Sequence, residues 1–175
     1  NKFFFLNSYE ICNELRIAVD KKNDKLVNAL LSKPRMKIER DCFKNCSELT
    51  QISIPLNVVS IGDYSFYGCS SLKQIIIPSS VTFIGKNAFY GCKNLTQISL
   101  PHSIISIEPF TFCDCELLKE ISIPPSVVNI KTSAFCNCKS LVEVIIPSSV
   151  KEIGECVFGS CFSLKNISIP DSVVS

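Results

Sequence analysis

The side chains with the most chemical potential are thiols: the 175-residue chain carries eleven cysteines against a single histidine. In a chain this short, so many thiols point either to a disulfide framework or to a metal site. Cys113-Asp114-Cys115 and Cys136-Asn137-Cys138 even offer four thiols in two close pairs, the number that a structural zinc ion takes. Their spacing argues against that use. Cys46, Cys69, Cys92, Cys115, Cys138 and Cys161 recur every 23 residues and form one repeating column, whereas Cys113 and Cys136 belong to another column that faces elsewhere. Cys12, Cys42 and Cys156 are isolated, and an odd total leaves at least one thiol unpaired. His102, the one side chain whose ordinary pKa is near neutrality, sits in a turn after Pro101, where other repeats carry Ser79, Pro125 and Ser148. Glu108, Asp114 and Glu116 have no partner at a spacing that would aim two carboxylates at one substrate. With no phosphate-cradling glycine loop and no nucleophile elbow either, the expectation is a chain that is not an enzyme and takes no metal or cofactor.

The column of thiols is one of several. Without a single insertion, a shift of 23 also aligns Leu49, Leu72, Leu95, Leu118, Leu141 and Leu164, then Ile52, Ile75, Ile98, Ile121, Val144 and Ile167. Pro55, Val58, Ile61 and Phe66 head further columns, and the unit reads C-x2-L-x2-I-x-I-P-x2-V-x2-I-x4-F-x2-C. A unit of this length cannot bury its apolar side alone, so a fixed period implies copies stacked as a solenoid. Leu-x-x-Ile-x-Ile alternates as a strand, and equal spacing lays each strand parallel to its copy in the next coil. The proline that follows lacks a backbone donor and ends the ladder, serines such as Ser79-Ser80 supply the turn, and Val-x-x-Ile is a second, shorter extended piece. The residues up to Phe89 suggest a single helical or 3₁₀ turn. Just before each column cysteine stand Asn45, Gly68, Gly91, Asp114, Asn137 and Ser160, mostly types that tolerate the left-handed conformation with which such a turn ends.

These positions resemble the leucine-rich repeats of the BspA-like class, whose 23-residue unit carries the same leucine, isoleucine-proline, valine, isoleucine-glycine, alanine-phenylalanine and cysteine positions. The match is plain over residues 46–175, and Ile38, Cys42, Phe43 and Cys46 form a decayed copy upstream. The glycine is kept at Gly62, Gly85 and Gly154 but replaced by Glu108 and Lys131. The resemblance implies an α/β solenoid: a right-handed leucine-rich-repeat superhelix, a parallel β-sheet on one side, short extended or 3₁₀ segments on the other, and a helical cap at the amino terminus. It also implies attachment to host cells, matrix proteins or other microbes.

The expected organisation is a helical hairpin over 1–35 and a solenoid over 36–175, with a degenerate first coil, five full units over 46–160 and an incomplete sixth. Ile11, Leu15 and Ala18 have helical spacing within Ser8–Lys21, with Ser8 as the N-cap, and a second helix spans Asp24–Ser32 before Pro34. The pair loosely resembles two ankyrin helices, and it would equally cover the apolar edge of the first coil. At the other end, Ser175 falls within the sixth unit, which suggests an open edge and a longer natural protein. Residues 1–40 carry nine Lys/Arg against five Asp/Glu, and the remainder nine against eleven, so charges of +4 and −2 divide the net +2. That basic excess reads as a solvated helical face and makes no case for nucleic acid. No apolar run has membrane-spanning length, Phe3-Phe4-Phe5-Leu6 included.

With catalysis set aside, the surface remains. Alternation in each strand turns Gln51 and Ser53, Gln74 and Ile76, Gln97 and Ser99, Glu120 and Ser122, Glu143 and Ile145, and Asn166 and Ser168 outward on the strand-lined side. This wall of small polar groups, with two isoleucines standing out, suits a protein partner. Two settings stay open: an adhesive module at a cell surface, or a component inside the cell that docks into a larger assembly through the hairpin or the open edge.

Overall fold

The structure, a computed structural model, describes residues 8–32 and 35–174. Two helices, α1 (Ser8–Asp20) and α2 (Asp24–Leu31), precede twelve short strands. These are β1 (Met36–Ile38), β2 (Gln51–Ser53), β3 (Val58–Ile61), β4 (Gln74–Ile76), β5 (Phe83–Ile84), β6 (Gln97–Ser99), β7 (Ser106–Ile107), β8 (Glu120–Ser122), β9 (Asn129–Ile130), β10 (Glu143–Ile145), β11 (Glu152–Ile153) and β12 (Asn166–Ser168). The even-numbered strands form one six-stranded sheet in the order β12-β10-β8-β6-β4-β2. All its pairings are parallel and in the register of the repeat, such as Ile52 on Ile75 and Ile75 on Ile98. On the opposite side the odd-numbered strands form two small parallel sheets, β1-β3-β5 and β7-β9-β11. The chain is therefore a parallel-sheet solenoid, as its period requires.

Between the two sides lies one continuous core, running from Ile11 to Val157. Its axis is a stack of phenylalanines: Phe43, Phe66, Phe89, Phe112, Phe135 and Phe158 have successive ring centroids 4.9, 5.2, 5.6, 5.4 and 5.6 Å apart. Successive planes lie within 9° of parallel. A lone pair of rings is free to adopt an edge-to-face contact, but identical rings carried by parallel coils must stack in the orientation that the backbone repeats.

The segment before each column cysteine keeps only part of the expected helical or 3₁₀ turn. It keeps bonds from residue i+3 to i, as in Tyr67 N–H to Tyr64 O (3.1 Å) and Cys69 N–H to Phe66 O (3.2 Å). The intervening amides, however, leave the coil: Tyr64 donates to Lys86 O (3.0 Å), Phe66 to Ala88 O (2.8 Å) and Gly68 to Tyr90 O (2.7 Å). Amides thus alternate between their own coil and the next, so no buried donor is stranded. The alternation needs left-handed residues. The expected column is left-handed throughout, from Asn45 (φ 59°) to Ser160 (φ 58°). A second column four residues earlier, Asp41, Tyr64, Asn87, Phe110, Ser133 and Cys156, is left-handed too, with φ between 53° and 60°. These interruptions, each disfavoured by about 1 kcal/mol for a side chain with a Cβ, prevent a regular helix from forming.

Close approach explains the glycine column. A Cβ on Gly85 would lie 2.5 Å from the backbone nitrogen of Asp63. Glu108 occupies this position in the next coil, and there the outer sheet divides, between β5 and β7. Lys131 nevertheless donates its amide to Ile107 O (2.9 Å), so glycine favours the tight contact without being required for it.

The hairpin joins the same core through Leu15, Ala18, Leu30 and Leu31, all fully buried. Each helix ends slightly earlier than expected. Ser8 is the first helical residue, and its side chain lies outside the described residues, as do Phe3-Phe4-Phe5-Leu6 and Pro34. Asn23 caps α2 by accepting the Leu26 amide at 3.1 Å. Two contacts fix the hairpin to the first coil. Asn57 donates through Nδ2 to Leu31 O at 2.7 Å, in the column where Ser80 and Ser149 donate to Val58 O and Val127 O one coil back. Cys12 and Cys42, which the sequence left isolated, form a disulfide with a Cα–Cα distance of 4.9 Å. Their 30-residue separation hides the pairing, since only docking of α1 on the first coil brings them together.

Replacing Phe89 by alanine leaves a gap within the ring stack and should cost on the order of 3–5 kcal/mol. Hydrogen exchange would then show weakened protection in the coils on both sides, whereas protection equal to that of the parent would contradict the packing.

Candidate binding face

The central residue of each inner strand from β2 to β10 is buried, and its two neighbours point outward. All twelve wall residues expected from alternation are exposed: Gln51, Ser53, Gln74, Ile76, Gln97, Ser99, Glu120, Ser122, Glu143, Ile145, Asn166 and Ser168. In the outermost strand, β12, the central Ile167 is 38% exposed as well. Register sorts the wall into two columns. One runs Gln51, Gln74, Gln97, Glu120, Glu143, Asn166, and the other Ser53, Ile76, Ser99, Ser122, Ile145, Ser168. Ile76 (62% exposed) and Ile145 (73% exposed) thus share one column with two serines between them. Fully burying such side chains is worth about 1.5–3 kcal/mol each, so they are the strongest apolar features of a polar face.

This face is hollowed in two places. A shallow depression of about 780 Å³ spans β4 to β10 and is lined by Ile76, Ser99, Ser122 and Ile145, with Glu120, Glu143, Lys119 and Val142 around it. A second, of about 620 Å³, lies where Val19, Lys22, Val27 and Asn28 of the hairpin region overhang β2 and β4. Gln74, Ile75 and Ile76 line both hollows. Within the wall, Gln97 Nε2 donates to Glu120 Oε1 at 3.4 Å.

The groups first considered for chemistry lie apart from these hollows. His102 is exposed in its turn. Glu116 is held between Lys93 (3.2 Å) and Lys139 (2.8 Å), and the hydrogen bonds from these two lysines set its carboxyl below the usual range. These three residues are one period apart, so the same shift of 23 applied to charges would have found them. Asp114 accepts from Asn137 Nδ2 in the next coil. Its carboxylate beside the Tyr90 hydroxyl is the main cause of the raised Tyr90 pKa, ahead of burial. Tyr67 stacks on Tyr90 at 4.9 Å, and Arg40 and Lys44 lie over Tyr64, so the outer turn is a second ladder of side-chain contacts. Among the described residues, no three His, Cys, Asp or Glu side chains are grouped to hold a metal ion. No described helix is long and apolar enough to cross a membrane.

The column thiols do more than fill space. Cys69, Cys92, Cys115, Cys138 and Cys161 donate from Sγ to the carbonyls of Phe43, Phe66, Phe89, Phe112 and Phe135, at 3.0 to 3.3 Å. Each bond ties one coil to the one before. Burial raises every thiol in this column, Cys46 to about 11, and it raises the buried Cys113 to about 12. Because the thiolate is the reactive form, these groups are chemically quiet.

The BspA type leucine rich repeat family matches residues 36–165 in six copies, and the chain belongs to that family. Among solved structures, it is 35% identical to a leucine rich cell surface protein from Faecalibacterium prausnitzii, over 67% of this chain and 31% of that one, with a TM-score of 0.65. It is 32% identical to a leucine rich repeat protein of T. pallidum, over 76% of this chain and 62% of that one, with a TM-score of 0.73. The pneumococcal vaccine antigen PcpA shares the fold at 22% identity, over 71% of this chain and 35% of that one, with a TM-score of 0.57. The chain spans about a third of the length of the first relative and about three fifths of the second. No curated protein matches the chain.

A raised thiol pKa carries a sign. The contribution is fully present below the ordinary thiol value of 9.0 and is lost as pH rises, because the unfolded chain then releases protons that the folded coils retain. The denaturation midpoint should fall as pH is raised from 8.5 to 10, and thiol reagents at pH 8 should modify the exposed Cys156 well before Cys92 or Cys115. A flat pH profile together with equal labelling rates would contradict the burial of this column.

Proposed function

We propose that the chain is a non-enzymatic protein-interaction module that engages its partner through the twelve wall residues, and that it serves adhesion at a cell surface. The observation that carries this reading is the pair of exposed isoleucines, Ile76 and Ile145, set in a hollowed polar face with no apolar neighbour in their own column. A rigid parallel sheet holds them without further ordering, so contact there loses little conformational entropy. The cell surface protein among its structural relatives supports the setting, as does the Cys12–Cys42 disulfide, a bond favoured in oxidising compartments. Nine free cysteines favour the second reading, a scaffold component inside a cell that docks through the hairpin or the last coil, where Ile169 is 51% exposed.

The same reading takes the solenoid over 36–175 as the binding part and the hairpin over 1–35 as its cap. It takes the superhelix as right-handed, the hand that parallel crossover connections strongly prefer.

The test is adhesion of protein-coated beads to host cells and to immobilised matrix proteins. Ile76→Glu combined with Ile145→Glu should lower binding at least tenfold with unchanged circular dichroism, while Phe83→Glu with Ile105→Glu, on the opposite side, should not. Parental binding by the folded inner-face variant would refute the reading.

A further inference from the structure

Resting on the inner face as the binding surface, we infer that its partner presents an extended polypeptide segment with two large aliphatic side chains four residues apart and a basic residue beside the second. The segment crosses the strands along the solenoid axis. Ile76, Ser99, Ser122 and Ile145 stand in register on four neighbouring strands, so three strand steps separate the isoleucines. At about 4.8 Å per step, that is about 14 Å.

An extended chain rises about 3.4 Å per residue and places every second side chain on the same face. Four residues therefore cover about 13.6 Å and return to the same face, whereas three or five residues do not return to it. A helix fits less well: its same-face positions seven and eleven residues apart are separated by about 10.5 and about 16.5 Å. The serines between the posts leave room for the intermediate side chain, and beside the path the amide of Gln74 and the Oε1 of Gln97, whose Nε2 donates to Glu120, can pair with the backbone of the segment. Glu143 is two residues from Ile145 on the same strand, and Glu120 is its neighbour one coil back. With Lys119 set against Glu120 and Glu143, this end of the hollow keeps an excess negative charge and selects lysine or arginine near the second aliphatic residue.

The probes are fluorescein-labelled ten-residue peptides of serine and threonine that carry two leucines, spaced two to six residues apart, with a lysine next to the second. Fluorescence anisotropy measures their affinity for the full chain. The spacing of four should bind at least tenfold tighter than three or five, lose at least tenfold when the lysine becomes glutamate, and lose at least tenfold on either Ile76→Glu or Ile145→Glu. Ile76→Val and Ile145→Val, which keep the apolar posts, should retain binding. Affinity independent of spacing, equal binding of a helical peptide with leucines seven or eleven apart, or no binding by any peptide would overturn the inference. If the peptides fail while the double glutamate variant still abolishes bead adhesion, the inner face remains the binding surface and only the extended segment is refuted.

Discussion

Every residue of the repeat lies against its own copy one coil away, and the rest of the structure depends on that constraint. A side chain suits a column only if it also suits itself as a neighbour. Phenylalanine rings meet this condition by stacking, aliphatic side chains by filling the core, and thiols by reaching the preceding phenylalanine carbonyl. On the outer turn charges meet it by alternation, as in Lys93, Glu116 and Lys139. On the wall Glu120 and Glu143 break it, standing in register as like charges that repel at a strand spacing of about 4.8 Å.

The same constraint accounts for where the repeat is free to vary. Columns that face inward must be apolar and repetitive, and so they are nearly uniform. The wall is free to vary from coil to coil, and it is there that isoleucine replaces serine twice and glutamate replaces glutamine twice. Departures from the repeat on an otherwise repetitive face give the wall its individual character. The hairpin extends that face by overhanging its first two strands, held in place by Asn57 and by the Cys12–Cys42 bridge.

Much of this was legible in the sequence because the 23-residue period carries its own register. The inner strands, the core columns and the exposure of the wall follow from alternation and period alone. The second left-handed column was not legible. Tyr64, Phe110 and Cys156 have no preference for that conformation, which is imposed by amides that must reach the neighbouring coil. Nor was the Cys12–Cys42 pair, because no local pattern records how a helix docks on a coil. Tyr67 on Tyr90 and the Lys93, Glu116, Lys139 ladder lay within reach, had the shift been applied to polar residues as well as apolar ones.

Coil equivalence is tested most directly by removing one coil. Excision of residues 116–138 joins Cys115 to Lys139 and brings β6 beside β10, Phe112 beside Phe158. The account predicts a folded, cooperatively melting protein one coil shorter, while excision of residues 116–127 alone, which breaks register, yields an unfolded or aggregated chain. Loss of folding in the whole-coil deletion, or equal folding of both, would contradict it.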